Sequence, residues 1–293
     1  MTDLGPRVAV AVVGVPAVLG LLYAGGWILG LPLAVFAALG AGEVYRFGET
    51  RGLHPSTWLG MPATAALVGV AVARTDYPEV APWLLAILAA LLVSALTAAL
   101  WTHGPKRAPL PSVAVTLFGT AYAGLPLTCV LLLHALPSRM GWGAVEPTRW
   151  VGAMVVALPL AATWIGDAAA YFAGSAWGRA KLFPSISPKK SWVGAWAGIL
   201  GAAAGAVAWY TVVGSWLPGL PLDGVTTWAL VGAGLGVAAI LGDLAESLLK
   251  REAGMKDSGK LLPGHGGVLD RLDALAYTIP VAYIVLRLAE MLA

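Results

Sequence analysis

The chain has 293 residues, of which 59% are apolar and 11% are charged, and its mean hydropathy is +0.80. A soluble domain of this length would carry roughly 25% charged residues, so the composition excludes one and indicates an integral membrane protein. The net charge of +3 is modest, and we expect no nucleic-acid partner. A single cysteine, Cys129, excludes both an internal disulfide and a metal site built on cysteines.

Nine apolar runs approach the roughly 20 residues that a helix needs to cross a bilayer. The alternation of period two that a membrane β-barrel requires is absent. We therefore predict an all-α polytopic integral membrane protein with about nine transmembrane helices. The runs are 8–25, 27–43, 57–74, 82–102, 112–134, 150–173, 192–213, 226–248 and 273–292.

The basic residues fall unevenly on the connections between these runs. Of 18 Lys and Arg residues, 14 lie at the N-terminus or in every second connection. Because cytoplasmic loops are rich in Lys and Arg, we predict a cytoplasmic N-terminus and an outer C-terminus in the cell inner (plasma) membrane. A signal peptide is a weaker interpretation of the first run, since that run is long and no convincing cleavage site follows it.

Two parts of the chain differ in motif content. Residues 1–140 hold about five spans and little motif. Glu43 at the end of the second run is either functional or interfacial, and the interfacial interpretation is favoured. Residues 141–293 hold the charged segments, in predicted cytoplasmic loops 175–191 and 249–272. We predict that the second part is catalytic and that its active site faces the cytoplasm.

The eighth run carries polar side chains on one helical face. Asp243, Glu246, Ser247 and Lys250 are spaced i, i+3, i+4 and i+7, which places them on the same side of a helix. An acid within a span costs at least about 2–3 kcal/mol unless it faces a cavity, an ion or a partner. A structural pair with Lys250 is the alternative, but it leaves the acids of the following loop unexplained.

Further acids are predicted at the same membrane depth. Asp270 and Asp273 begin the last run, where capping of a helix N-terminus could explain one of them. Asp167 lies late in the sixth run, and a buried ion pair is its alternative interpretation. Mg²⁺ is held by one or two protein carboxylates together with phosphate oxygens and water. We therefore predict metal ligands from Asp243 and Asp270, with Asp167 or Glu246 as the next candidates.

Two loops supply basic and flexible residues suited to phosphate. Arginine can bind phosphate through two parallel hydrogen bonds, and glycines let backbone N–H groups approach an anion closely. A basic loop that binds anionic lipid heads is the alternative. The loop 184–191 is by itself weaker evidence of phosphate binding. The residues are Lys250, Arg251, Lys256, Lys260, Arg271 and the Gly264–Gly267 segment around His265 in one loop, and Ser187, Lys189 and Lys190 in the other.

The spacing of these residues resembles the signature of the phosphatidate cytidylyltransferase (CDP-diacylglycerol synthase) family. The resemblance covers 247–273, with KDSG at 256–259 and PGHGGVLDRLD at 263–273. Upstream, DAAAYFAG at 167–174 and SPKKSW at 187–192 are also similar to that family. Val193 departs from it, since the family commonly has an acidic or amide side chain there.

The resemblance implies transfer of the cytidylyl group of CTP to phosphatidate, which yields CDP-diacylglycerol and pyrophosphate for phospholipid synthesis. It implies a requirement for Mg²⁺, with K⁺ as a candidate second ion. The expected partners are CTP, phosphatidate and membrane lipids, and small residues in the spans are compatible with a homodimer. The alternatives are a related CTP-dependent enzyme with another lipid acceptor and, less favoured, a membrane transporter.

The resulting expectations divide the residues by role. The catalytic candidates are Asp243, Asp270, Lys250 and Arg271. The candidates for substrate binding are Ser187, Lys189, Lys190, Ser247, Arg251, Lys256, Asp257, Gly264, His265, Gly266, Gly267 and Asp273.

Overall fold

A computed structural model describes residues 14, 16–102, 104–142, 150–259 and 266–292. Their structure is almost entirely helical, and 16–24 is helical as well. The helices are α1 (Gly26–Thr50), α2 (Thr57–Ala73), α3 (Tyr77–Thr102), α4 (Pro109–Met140), α5 (Trp150–Trp177), α6 (Trp192–Val213), α7 (Val225–Glu252), α8 (Leu269–Leu272) and α9 (Leu275–Leu292). Short 3₁₀ turns lie at Pro105–Arg107 and Gly214–Trp216.

Seven helices of the described chain are long and apolar enough to cross a membrane: α1, α3, α4, α5, α6 with the turn that follows it, α7 and α9. The helix α2 is apolar but has only 17 residues, and the first apolar run lies partly outside the described residues. The helical, polytopic membrane architecture is confirmed. The count of nine and the positions of the termini stay predictions.

The helices extend further into the polar segments than the apolar runs indicated. The helix α5 continues to Trp177 and α7 continues to Glu252. Lys250 and Arg251 therefore lie in the last helical turn of α7, where a positive charge is favoured by the helix dipole. The proposed division of roles at residue 140 stays a prediction.

The chain forms two compact units. Unit 1 comprises 1–132 and 249–272, and unit 2 comprises 133–248 and 273–293. In unit 1 the core packs around Tyr45, which is fully buried beside Ala41 and Ala123. Its hydroxyl donates to the Thr116 carbonyl at 3.1 Å and lies 2.7 Å from Thr120 Oγ1. These contacts satisfy the one polar atom of a large side chain in the interior.

Small residues bring three helices of unit 2 together. A Cβ on Gly201 of α6 would lie 2.6 Å from the Ala169 Cβ of α5, and one on Gly232 of α7 would lie 2.6 Å from the Ala202 carbonyl of α6. Close backbone approach of this kind is how helices pack in membranes, where van der Waals contact replaces the hydrophobic effect. It sets α5, α6 and α7 around one cavity.

A short β-hairpin connects α5 to α6. Strands β1 (Lys181–Phe183) and β2 (Ser187–Ser191) are antiparallel, with Lys181 opposite Ser191 and Phe183 opposite Ser187. The Ser191 hydroxyl then accepts the Gly194 N–H at 3.2 Å and caps α6. The segment predicted as a loop thus contains the one sheet of the described chain.

Candidate active site

Unit 2 contains a cavity of about 580 Å³ into which charged side chains project. Residues of α5, α6, α7 and the hairpin line it. Two acids and three lysines line it: Asp167, Asp243, Lys181, Lys189 and Lys190. The mixture of carboxylates and ammonium groups suits a ligand that carries phosphate, with or without a cation.

An ion pair lies at the wall of this cavity. Lys190 Nζ of β2 lies 2.7 Å from Asp243 Oδ2 of α7, and the Ser247 hydroxyl donates to Asp243 Oδ1 at 3.2 Å. The two charged side chains are 25% and 36% exposed. The pair is therefore accessible, and either partner could exchange the other for a ligand.

Unit 1 contains a second pair of the same kind, which is largely buried. Lys250 Nζ donates to Asp270 Oδ1 at 2.6 Å, and the two side chains are 13% and 11% exposed. Asp270 Oδ2 accepts from the Ser258 N–H at 2.8 Å, the Ser258 hydroxyl at 2.9 Å and the Gly267 N–H at 2.9 Å. Burial by itself raises the pKa of Asp270, but the hydrogen bonds from Lys250, Gly267 and Ser258 outweigh it and lower the pKa to about 2. Asp270 is therefore a fixed anion.

Two glycines allow the backbone to close around Asp270. Gly266 has a φ of +79°, and a Cβ there would lie 2.5 Å from Asp270 Oδ2. A Cβ on Gly267 would overlap the Ser258 hydroxyl. A side chain at either position would push the backbone away from the carboxylate. Binding of substrate phosphate by these glycines stays a prediction, since the Gly267 N–H binds a carboxylate of the protein itself.

The interpretation of Glu43 as an interfacial side chain is wrong. Glu43 is 1% exposed, and its carboxylate accepts the N–H groups of Val268 and Leu269, each at 2.9 Å. The Ser258 hydroxyl oxygen lies 2.8 Å from Glu43 Oε2. These partners follow it by more than 200 residues, so local patterns could not reveal them. The available signal was a lone acid at the end of an otherwise apolar run.

The remaining predicted residues are dispersed. Ser187 and Lys189 belong to β2, whereas Lys256, Asp257 and Arg271 are exposed. Arg251 donates to the Met255 carbonyl at 3.3 Å, and Asp273 accepts the Ala274 N–H at 2.7 Å, a contact of the helix-capping kind. Glu246 is fully buried, outside the cavity lining. Gly264 and His265 lie outside the described residues.

The donor set fits a hard cation at the cavity best. Asp167 and Asp243 both line it, and Mg²⁺ accepts one or two carboxylates when phosphate and water complete the coordination. Both oxygens of Asp270 already have donors, Lys250 on Oδ1 and three donors on Oδ2, so a cation there would have to displace one of them. Among the described residues, no three acids, histidines or cysteines converge into a ready metal cluster.

The fold and these sites define a polytopic membrane protein with one Lys–Asp pair at a cavity of unit 2 and a second pair in unit 1. The sequence model of the cytidylyltransferase family matches residues 5–289, and the chain belongs to that family. A phosphatidate cytidylyltransferase of Synechocystis sp. is 32% identical over 297 residues, which cover 94% of each protein. Phosphatidate cytidylyltransferase 5, chloroplastic, of Arabidopsis thaliana is 32% identical over 92% of this chain and 68% of its own. The phosphatidate cytidylyltransferase of Thermotoga maritima is 41% identical over 48% of this chain and 52% of its own.

Proposed function

We propose that this protein is a nucleotidyltransferase that converts CTP and phosphatidate to CDP-diacylglycerol and pyrophosphate. The observation that carries the proposal is membership of the cytidylyltransferase family over nearly the whole chain, with a relative of that activity aligned over 94% of both proteins. The cavity of unit 2 supports it, because lysines and carboxylates line one space.

The reaction forms one P–O bond and breaks another. An oxygen of the phosphatidate phosphate attacks the α-phosphorus of CTP, and the bond from that phosphorus to the β-phosphate oxygen breaks to release pyrophosphate. The attacking phosphate is already an anion near neutral pH, so no strong general base is needed. Catalysis of this kind is mainly positioning and stabilisation of charge.

The side chains of the cavity bind and orient the phosphates in this proposal. Lys189 and Lys190 neutralise phosphate oxygens, with Ser187 beside them on the same strand. Lys190 can release Asp243 for a phosphate oxygen because both side chains are partly exposed. Asp243 would hold Mg²⁺ in this cavity, with Asp167 as the next ligand. Asp270 remains a candidate metal ligand within unit 1. When bound, Mg²⁺, with K⁺ as the proposed second ion, supplies positive charge that offsets the repulsion between the substrates.

The second pair has a different proposed role. Asp270 holds the Lys250 ammonium in one orientation, so Lys250 is already placed when substrate arrives. Arg251 at the end of α7, Lys256 in the loop that follows and Arg271 in α8 then contact phosphates. Helix α7 supplies residues to both Lys–Asp pairs. It carries Asp243 of the first pair, with Ser247 beside it, and Lys250 of the second.

The proposed location is the cytoplasmic face of the cell inner membrane. The excess of Lys and Arg on one set of connections supports that orientation. The acyl chains of phosphatidate would remain in the bilayer while the headgroup enters the cavity from the side and meets its lysines. Headgroup and nucleotide can then meet without either crossing the apolar region.

Purified full-length protein in detergent, supplied with Mg²⁺ and K⁺, provides the test. CTP labelled at the α-phosphate should yield a lipid-extractable product only when phosphatidate is present. CTP labelled at the γ-phosphate should place its label in pyrophosphate, with none in the lipid.

Each alternative gives a different distribution of the label. Lipid labelled from the γ-phosphate would identify a CTP-dependent lipid kinase instead. Product formed only with another lipid acceptor would retain cytidylyl transfer but change the substrate. No labelled lipid with any acceptor, from protein that elutes as a folded species, would overturn the proposal.

A further inference from the structure

We propose that Glu43 is a positioning residue of the active site, which holds the backbone before Asp270 in the shape that orients Asp270 and Lys250. This inference rests on the proposed cytidylyl transfer. Glu43 belongs to α1, in the part of the chain that carries no recognisable motif, and it is 1% exposed. A buried carboxylate is costly unless it is fully hydrogen-bonded, so its placement requires an explanation.

The contacts of Glu43 converge on the segment that precedes and begins α8. Oε1 accepts the Val268 N–H at 2.9 Å, and Oε2 accepts the Leu269 N–H at 2.9 Å. The next residue along the chain is Asp270. Glu43 therefore fixes two consecutive peptide groups immediately before the acid of the buried ion pair.

A serine hydroxyl provides a second connection. Ser258 Oγ is completely buried and lies 2.8 Å from Glu43 Oε2 and 2.9 Å from Asp270 Oδ2. The Asp270 N–H in turn points at the same oxygen from 3.3 Å. One hydroxyl thus links the carboxylates of Glu43 and Asp270, and any displacement of Glu43 must move an atom that contacts Asp270.

Two glycines of the loop leave room for the Glu43 carboxylate, because they carry no side chain. A Cβ on Gly259 would lie 2.5 Å from Glu43 Oε1, and a Cβ on Gly267 would overlap the same carboxylate. The loop approaches from both sides because neither position carries a side chain. Part of the glycine content of this segment is therefore explained by an acid from α1.

Two accepting oxygens, and not only the size of the side chain, are required for this arrangement. In Glu43→Gln one oxygen becomes an NH₂ group, which only donates hydrogen bonds. If it replaces Oε1, it faces the Val268 N–H; if it replaces Oε2, it faces the Leu269 N–H. In either orientation the NH₂ group and a backbone N–H, two hydrogen-bond donors, face each other in a buried site. The backbone must therefore shift.

Four variants of the full-length protein test the role. They are Glu43→Gln, Ser258→Ala, the double variant, and Glu49→Gln as the control, because Glu49 is an exposed acid on the same helix. Partners that orient a functional carboxylate usually change activity by roughly 10- to 100-fold. We expect Glu43→Gln to lower kcat by that factor per folded molecule, while Glu49→Gln remains within about twofold of wild type.

The double variant separates positioning from general destabilisation. If Glu43 acts partly through Ser258, the loss in the double variant is smaller than the product of the two single losses. The measurement is kcat and KM for each substrate, with thermal unfolding recorded on the same samples. If Glu43→Gln does not fold, Glu43→Asp replaces it in the comparison. The double variant of Glu43→Asp and Ser258→Ala should then lose less activity than the product of the two single losses.

Independent losses that multiply, or a kcat for Glu43→Gln equal to that of Glu49→Gln, would overturn the inference. A wild-type protein that forms no labelled lipid would instead overturn the proposed function. The two failures are therefore distinguishable.

Discussion

Two Lys–Asp pairs of nearly equal length are built in opposite ways. Lys250 and Asp270 in unit 1 lie 2.6 Å apart, are 13% and 11% exposed, and are surrounded by three further donors. Lys190 and Asp243 in unit 2 lie 2.7 Å apart but are 25% and 36% exposed, with one hydroxyl beside them. By the distance between their charged atoms, the two pairs are equivalent.

Their surroundings make them different. Breaking a buried pair leaves an uncompensated charge, which costs about 3–5 kcal/mol, whereas exposed pairs contribute about 0–1 kcal/mol. The pair in unit 1 is therefore part of the folded framework. The pair in unit 2 can open when a ligand offers better partners, so it is the one suited to respond to substrate.

The largest effect should come from Asp270→Asn. The variant leaves the Lys250 ammonium buried without its carboxylate and can turn an NH₂ group toward the N–H groups of Ser258 and Gly267. We expect the free energy of unfolding to fall by about 3–5 kcal/mol. Cytidylyl transfer should fall by roughly 10²–10³-fold or more. Thermal unfolding in detergent and the labelled-lipid measurement check the two quantities.

The matched control removes an exposed acid in place of one held by an ion pair and hydrogen bonds. Glu252 is exposed at the end of α7, and Glu252→Gln should change stability by less than about 0.5 kcal/mol. Equal stability of the Asp270 and Glu252 variants would show that the buried pair is not part of the framework.

Asp243→Asn should separate activity from stability. Because the Lys190 pair is partly exposed, its loss should change the free energy of unfolding by at most about 1 kcal/mol. Transfer should still fall by roughly 10²-fold or more, since a proposed ligand of the metal and phosphate site is lost. A variant that loses stability as Asp270→Asn does would remove the distinction between the two pairs.

The sequence could predict the elements of unit 2 better than those of unit 1. Asp167 and Asp243 each lie late in an apolar run directed toward the same face, and the structure places both at one cavity. The helix periodicity that aligned Asp243 with Ser247 is local, and a hydrogen bond joins them. Local spacing was sufficient because each inference concerned residues on one helix or at one depth.

The network in unit 1 could not be predicted in this way. Glu43 contacts Ser258 across 215 positions and Leu269 across 226, and no local pattern encodes such a separation. The glycines were interpreted as a phosphate-binding segment because glycine permits close approach of any anion. Composition could not distinguish a substrate phosphate from a carboxylate of the protein.

Glycine substitutions probe how tightly the buried site is packed. Gly267→Ala would place a methyl group against Ser258 Oγ and the Glu43 carboxylate. We expect it to destabilise the protein by about 1–3 kcal/mol, the usual cost of overpacking. Gly234→Ala is the control, because nothing lies within 4 Å of a Cβ there, and alanine in a helix should be neutral or stabilising by about 0.5–1 kcal/mol. Thermal unfolding that ranks the two variants alike would argue against a closed site.

The smallest effect is the pH dependence of the Asp270 pair. The folded protein holds the pKa of Asp270 at about 2, below its ordinary value of 3.8. The unfolded chain therefore takes up a proton first as the pH falls, so the stabilisation is complete above about pH 4 and is lost toward pH 2. The difference in Tm between wild type and Asp270→Asn should be constant from about pH 7 to 5 and should shrink below about pH 4. A difference that shrinks already between pH 7 and 5 would mean that the donors around Asp270 do not hold it as an anion, and the contrast with the open pair of unit 2 would then rest on burial alone.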